Sequence, residues 1–339
     1  MTRRAQGLLI IAMAATPLTA QADACMAASG QTIAVSCVPD SLRVSRDDGA
    51  TFTEVAAHVR DAAVTSDEVV FALSDSDAPS LLRFGTRTTS QPIPLGRAAA
   101  LRSLGNALFV AGWRDDAAQE RRTFVLTTED AGASWRELGS LPAWSDYSDA
   151  FHVTRGRAHP EIEFIAAYGL SCWGTVQVRR FRYDGHAFQG ADLINDNACA
   201  GHGEACSNLV FMGVGAYASA FALGHAPEDE PHVLPLLTVG PVERSQPTDL
   251  QVHPAETFLV ADNGRITLAI AGTRLVRIEG AHHTLLDRNA PVGAEQLFVD
   301  ARGRAWVLAQ DLRAPGIMQL HRFSRRSGWQ AMGVGPRTP

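Results

Sequence analysis

"TTEDAGASWREL", Thr127–Leu138, has a counterpart upstream in "SRDDGATFTEV", Ser45–Val55. Laid over each other, Ser45 falls on Thr128, Asp47 on Asp130, Gly49 on Gly132, Thr51 on Ser134 and Phe52 on Trp135. The shared pattern is S/T-x-D-x-G-x-S/T-W/F. The chemistry of that spacing is a hairpin turn. An Asp carboxylate at a turn accepts hydrogen bonds from nearby backbone N–H groups. Glycine takes a positive φ at little cost. Hydroxyl side chains bond locally to the backbone. The aromatic residue opens the next strand and buries its ring against a neighbour. All ten residues therefore have a structural reading.

Working outward, the same strand–turn–strand rhythm returns without the full motif. It appears in "LLRFGTRTTSQPI" from Leu81, "VRRFRYDGHAFQGADL" from Val178, "VLPLLTVGPVERSQ" from Val233, "TRLVRIEGAHHTLLDR" from Thr273 and "IMQLHRFSRRSGWQAMG" from Ile317, the last ending its turn in Gly328-Trp329. The turns fall near 48, 86, 131, 184, 240, 280 and 327, a mean step of about 46 residues, close to the length of one blade in a circular β-repeat. A second hairpin type alternates with them: "NALFVAGW" (Asn106–Trp113), "TFLVADNGRITLAIAG" (Thr257–Gly272) and "EQLFVDARGRAWVLAQ" (Glu295–Gln310). Two alternating hairpins make a four-stranded unit. Helical periodicity is absent beyond the N-terminal segment; "DDAAQERR" (Asp115–Arg122) is at most one exposed turn.

The two matched segments resemble the Asp-box, or BNR repeat, of sialidases and other β-propellers. Asp300, Gly303 and Trp306 resemble the D-x-x-G-x-x-W signature of propellers attached to bacterial sensors. The resemblance implies an all-β chain: a single β-propeller of four-stranded antiparallel blades over residues 23–339, with seven blades expected and six or eight left open by the irregular middle. Asp47 and Asp130 would then lie two blades apart, with one blade between them lacking the box.

The first 22 residues read as a secretory signal peptide. Arg3 and Arg4 precede an apolar run too short to span a bilayer, and Ala20-Gln21-Ala22 forms an A-x-A cleavage site. An exported chain, periplasmic or extracellular, is expected, with no transmembrane segment after the signal. Acylation of Cys25 is the weaker alternative, because Ala22 and Asp23 fit the lipoprotein pattern poorly. Export permits disulfides. The five cysteines are Cys25, Cys37, Cys172, Cys199 and Cys206. Cys199–Cys206 and Cys25–Cys37 are the candidate pairs, and pairing of Cys172 with Cys199 or Cys206 stays open.

The net charge is −6, which gives no basic field for nucleic acid. There is no lysine, which excludes Schiff-base chemistry on a lysine side chain. No G-x-S-x-G, H-E-x-x-H, Walker loop or dinucleotide fingerprint occurs, so no cofactor is expected. No metal is expected either: Asp196, His202 and Glu204 in "NDNACAGHGEAC" fit no zinc or calcium spacing. "HAPEDEPH" (His225–His232) reads as a solvated loop, and His282 and His283 as turn residues.

Resemblance to sialidases implies an arginine triad, a Tyr nucleophile with a Glu partner and an Asp acid. The family's Arg-Ile-Pro motif is missing here, and the tyrosines number four: Tyr147, Tyr168, Tyr183 and Tyr217. The catalytic set is therefore unknown. The candidate binding loop is "WSDYSDAFHV", where Trp144 could stack on a sugar and Asp146, Tyr147 and Asp149 flank it, with His152 nearby. The expected function is an exported, non-catalytic, monomeric propeller that binds a protein or a glycan. A sialidase-like glycoside hydrolase with its site at the channel mouth is the alternative, and a surface-anchored structural protein the third.

Overall fold

The computed structural model describes residues 26–332, apart from 39–40, 116–120, 143–147, 156–158, 171–174, 197–208, 215–219, 225–233, 240–244, 253–255, 264, 301 and 314–317. The described chain is all β, and every strand pairs antiparallel with its sequence neighbour in four-stranded meanders. The first sheet holds β1 (Met26–Ser29), β2 (Thr32–Val38), β3 (Ser41–Ser45) and β4 (Thr53–Ala57). The second holds β5 (Val59–Val64), β6 (Val70–Ser74), β7 (Ser80–Phe84) and β8 (Thr88–Pro92); the third β9 (Arg97–Leu104), β10 (Ala107–Asp115), β11 (Arg121–Thr128) and β12 (Arg136–Pro142). Next come β13 (Ser148–Arg155), β14 (Pro160–Leu170), β15 (Thr175–Tyr183) and β16 (Phe188–Asp196), then β17 (Leu209–Val214), β18 (Ala220–Gly224), β19 (Leu234–Val239) and β20 (Ser245–Val252). The last two sheets are β21 (Phe258–Asp262), β22 (Thr267–Ala271), β23 (Arg274–Glu279) and β24 (His282–Asp287), and β25 (Ala294–Val299), β26 (Ala305–Gln310), β27 (Met318–Ser324) and β28 (Gly328–Met332).

The first strands of successive sheets contact one another, β1 with β5, β5 with β9, β9 with β13, β17 with β21 and β21 with β25, so they line the axis of a ring. The fourth strands lie outside: β4 and β8 are largely exposed. Among the described side chains, the second strands β6, β22 and β26 are covered on both faces, which explains their near-continuous apolar sequence. In β26, alternation sends Trp306 and Leu308 towards β1 and β2, and Ala305, Val307 and Ala309 towards β21–β23. In β6, Phe71 and Leu73 face the third sheet while Val70 and Ala72 face the first.

Described hydrophobic cores join sheets one and two, two and three, three and four, five and six, six and seven, and seven and one. The sequence predicts seven blades. Strand pairing defines seven sheets, but packed junctions are described at six places, not seven. The side chains of β17, β18 and β19, which the junction with β13–β16 would involve, lie outside the described residues.

Among the described residues, no strand from one end of the chain enters the sheet of the other: β1–β4 and β25–β28 are separate four-stranded sheets. The ring therefore closes through side chains. Trp306 is fully buried at that joint with Met26, Ile33 and Val35. No described helix is long and apolar enough to cross a membrane.

Candidate functional site

The two matched segments are the β3–β4 and β11–β12 turns, in the first and third sheets. Their networks are equivalent bond for bond. In the first, Ser45 Oγ donates to Asp47 Oδ1 at 2.7 Å and accepts from Gly49 N at 2.8 Å. Asp47 also accepts from Thr51 N at 2.9 Å and Thr51 Oγ1 at 2.6 Å. In the second, Thr128 Oγ1 donates to Asp130 at 2.7 Å and accepts from Gly132 N at 2.9 Å, while Ser134 N and Oγ donate to Asp130 at 2.9 and 2.5 Å. Donation by Thr51 and Ser134 stabilises the ionised carboxylates and lowers Asp47 and Asp130 to about 2.

Each turn holds two consecutive left-handed residues, Asp48 (φ 60°) with Gly49 (87°), and Ala131 (58°) with Gly132 (91°). The sequence pattern pointed only to the glycines. Both turns clip onto the preceding sheet. Trp135 Nε1 donates to Pro92 O at 3.1 Å, and Phe52 packs at the joint around Trp306. A side chain at Gly49 would meet the Trp306 ring at 3.1 Å.

The D-x-x-G-x-x-W residues form the other half of that joint. Asp300 is buried; its Oδ1 accepts from Arg302 N and Arg304 N, both at 2.9 Å, and its Oδ2 from Arg304 Nε at 2.5 Å and Trp306 Nε1 at 3.1 Å. The outer fork of Arg304 donates to both carboxylate oxygens of Asp48, at 2.6 and 2.8 Å. These bonds hold the Asp48 carboxyl below its usual range and raise Arg304 above its own.

A cleft of about 530 Å³ opens beside this joint, between the sixth and seventh sheets. Three hairpin turns build its rim: β21–β22, β25–β26 and β27–β28. Arg265, Arg277, Arg302, Arg304, Arg322 and Arg325 line it, with an apolar floor including Ile266, Leu268, Leu286 and Phe323, and no carboxylate side chain among the lining residues. Asn263 bridges two of the turns, donating to Asp300 O at 2.7 Å and accepting from Arg265 N at 3.0 Å. Sequence reasoning missed this cleft. The available signal was an aligned Gly-Arg pair, "NGRIT" at 263–267 against "RGRAW" at 302–306, placing Arg265 and Arg304 at the same turn position of adjacent units.

A second site was also missed. On the axis-lining strands, Asp61 is fully buried and accepts from Ala62 N, Leu101 N and Arg102 Nη1 at 2.7, 2.7 and 2.8 Å. Arg102 continues to Phe151 O at 2.9 Å, joining three sheets. His152 follows on β13. Its Nε2 is buried without a hydrogen-bond partner, and desolvation, then the charge of Arg102, lower it to about 3.

The other candidates do not converge. Trp144, Asp146 and Tyr147 lie outside the described residues, as do Cys25, Cys172, Cys199 and Cys206. Asp149 is on β13 and Cys37 on β2, with side chains outside the described set. Tyr147 and Tyr217 are outside it too, and Tyr168 is described only as backbone. Tyr183 is buried and donates its hydroxyl to Gly185 O at 2.8 Å. His282 and His283 both bond Asp249, at 3.2 and 2.6 Å, on the exposed outer edge of the sixth sheet. Among the described residues, no three or more His, Cys, Asp or Glu side chains gather to hold a metal.

No family model and no curated protein sequence matches this chain. Solved structures do. YCF48 bound to D1 peptide is 13% identical, with a TM-score of 0.52 over 89% of this chain and 93% of that one. The β-propeller domain of the Trilobed protease from Pyrococcus furiosus, described as having an open velcro topology, is 7% identical with a TM-score of 0.53 over 93% and 98%. The acylaminoacyl peptidase of Pyrococcus horikoshii is 7% identical with a TM-score of 0.53, over 91% of this chain and 51% of the peptidase, so this chain spans about half its length. At these identities the likeness is one of fold: the chain is a β-propeller.

Proposed function

We propose that this chain is an exported, non-catalytic β-propeller whose Asp-boxes brace a binding scaffold for a protein or glycan. One observation carries the reading. Glycoside hydrolysis needs a carboxylic acid held protonated near neutral pH, so its pKa must be raised. Every described carboxyl group with a resolved shift moves the other way: Asp47, Asp48, Asp130, Asp184 and Asp249 are all lowered by donors around them. Tyr183, the one tyrosine whose side chain is described, donates its hydroxyl to a turn carbonyl. The cleft offers cationic donors without an acid–base pair. The structural likeness to a propeller bound to a peptide fits the same reading. The test is turnover of a fluorogenic sialoside and a panel of chromogenic glycosides by the purified chain. No release above the buffer blank is expected. Release proportional to protein concentration would replace this reading with the hydrolase alternative.

A further inference from the structure

We infer that the cleft between the sixth and seventh sheets binds a small organic ligand bearing a doubly charged oxyanion, a phosphate monoester in chemical class. The inference rests on the binding reading above and gives it a site. The volume of about 530 Å³ lies within the roughly 300–1,000 Å³ usual for small-molecule sites. The lining separates into two chemistries. Ile266, Leu286 and Phe323 offer an apolar surface, and six guanidinium groups supply all the lining charge.

That concentration is unusual here, because the chain as a whole carries a net charge of −6. The six arginines divide into two sets. Arg304 is consumed by Asp48 and Asp300, Arg322 reaches Asp48 at 3.4 Å, and Arg277 pairs with Glu279 at 2.5 Å. These belong to the framework. Arg265 and Arg325 are exposed and have no carboxylate partner among the described residues, and exposed Arg302 comes no closer than 3.8 Å to Asp48. Each of these three stands on a different hairpin turn. The turns are anchored: Asn263 ties the first to the second, and the Asp300–Arg304–Asp48 chain fixes the second to the first sheet.

A guanidinium fork matches two oxygens of a phosphate or carboxylate. A single carboxylate satisfies one fork. Three forks on three turns suit a dianion with three terminal oxygens, and the apolar floor suits an organic body attached to it.

The test uses the whole mature chain in a buffer free of phosphate and sulfate. Phenyl phosphate, inorganic phosphate, benzoate and hexaglutamate are titrated calorimetrically into wild type, R265Q/R325Q, R265K/R325K and the control Arg60→Gln, whose partner Asp75 lies on the distant second sheet. Phenyl phosphate is expected to bind once per chain, at least about tenfold tighter than inorganic phosphate or benzoate. R265Q/R325Q is expected to lose about tenfold or more with Tm unchanged. The Lys pair should recover part of the loss and Arg60→Gln should lose nothing. Added salt should weaken binding. No saturable heat, equal affinity in R265Q/R325Q, or tighter binding of benzoate or hexaglutamate would overturn the phosphate assignment. The last two outcomes would leave the binding reading standing, whereas glycoside turnover would remove that reading itself.

Discussion

Arg304, in the β25–β26 turn of the last sheet, grips Asp48 in the first through both terminal nitrogens, at 2.6 and 2.8 Å, across 256 residues of sequence. This contact joins two local motifs of different kinds. Asp48 sits at positive φ inside the Ser45–Phe52 turn, and Arg304 is oriented from behind by buried Asp300. Among the described residues the first and last sheets share no strand, and this contact joins them together with the apolar packing around Trp306. Asp300→Ala would leave Trp306 Nε1 and two backbone N–H groups unpaired beside a displaced Arg304. A loss of about 3–5 kcal/mol is expected, read by chemical denaturation. Asp48→Asn keeps the shape and removes the charge, and should cost less. Equal stability of Asp300→Ala and wild type would show that the joint does not limit unfolding.

Asp61 makes a parallel prediction at the axis. Its carboxylate is fully buried and Arg102 is largely buried, 17% of its side chain remaining exposed. Removing one member of a buried pair leaves the other uncompensated, at a cost of about 3–5 kcal/mol. Asp61→Ala should therefore destabilise strongly, and Asp61→Ala with Arg102→Met should recover much of the loss. Additive losses in the double variant would contradict this.

His152, Asp47 and Asp130 contribute to the acid limb of stability, the histidine from higher pH than the two carboxylates. The folded pKa of His152 is depressed to about 3, so the unfolded chain takes up its proton first as pH falls below 6.5. Its contribution is complete above that value and drains away down to about 3. Asp47 and Asp130 are lowered from 3.8 to about 2, so their contribution is complete above 3.8 and is lost towards about 2. His152→Gln should flatten urea midpoints between about pH 6.5 and pH 4 while leaving the steeper loss below. Asp130→Asn should do the reverse. A variant profile parallel to wild type would contradict the assignment.

Gly132 and Gly105 separate turn conformation from packing. Both have positive φ, 91° and 63°, but a Cβ at Gly132 would meet Leu81 Cδ2 at 3.0 Å and one at Gly105 would meet nothing within 4 Å. Gly105→Ala should cost about 1 kcal/mol for the left-handed backbone alone. Gly132→Ala should cost more, about 2–3 kcal/mol. Thermal melts of the two variants give the comparison.

Much of the fold was legible because its signals are local. The Asp–Gly–hydroxyl spacing around Asp47 and Asp130 fixes a turn by bonds within five residues, and the turn rhythm then marks the four-stranded units. The near-continuous apolar runs of β6 and β26 mark strands covered on both faces, but not which neighbouring sheet each face meets. The Asp48–Arg304 joint and the Asp61–Arg102–Phe151 chain were hidden because their partners are distant in sequence and belong to common residue types. The cleft was hidden for a related reason. Arginine fills all 30 of the Lys and Arg positions of this protein, so its clustering emerges only when three turns from two sheets are brought together. The loop around Trp144 drew attention through its aromatic and acidic composition, which says nothing about convergence in space.

The central claim is that this propeller binds without chemistry, and the most direct measurement is release of a fluorophore from a sialoside by purified wild-type chain across the pH range where glycosidases act. The account predicts a rate indistinguishable from the buffer blank at every pH. A rate that scales with protein concentration and rises on the acid side, where a carboxylic acid would be protonated, would contradict it.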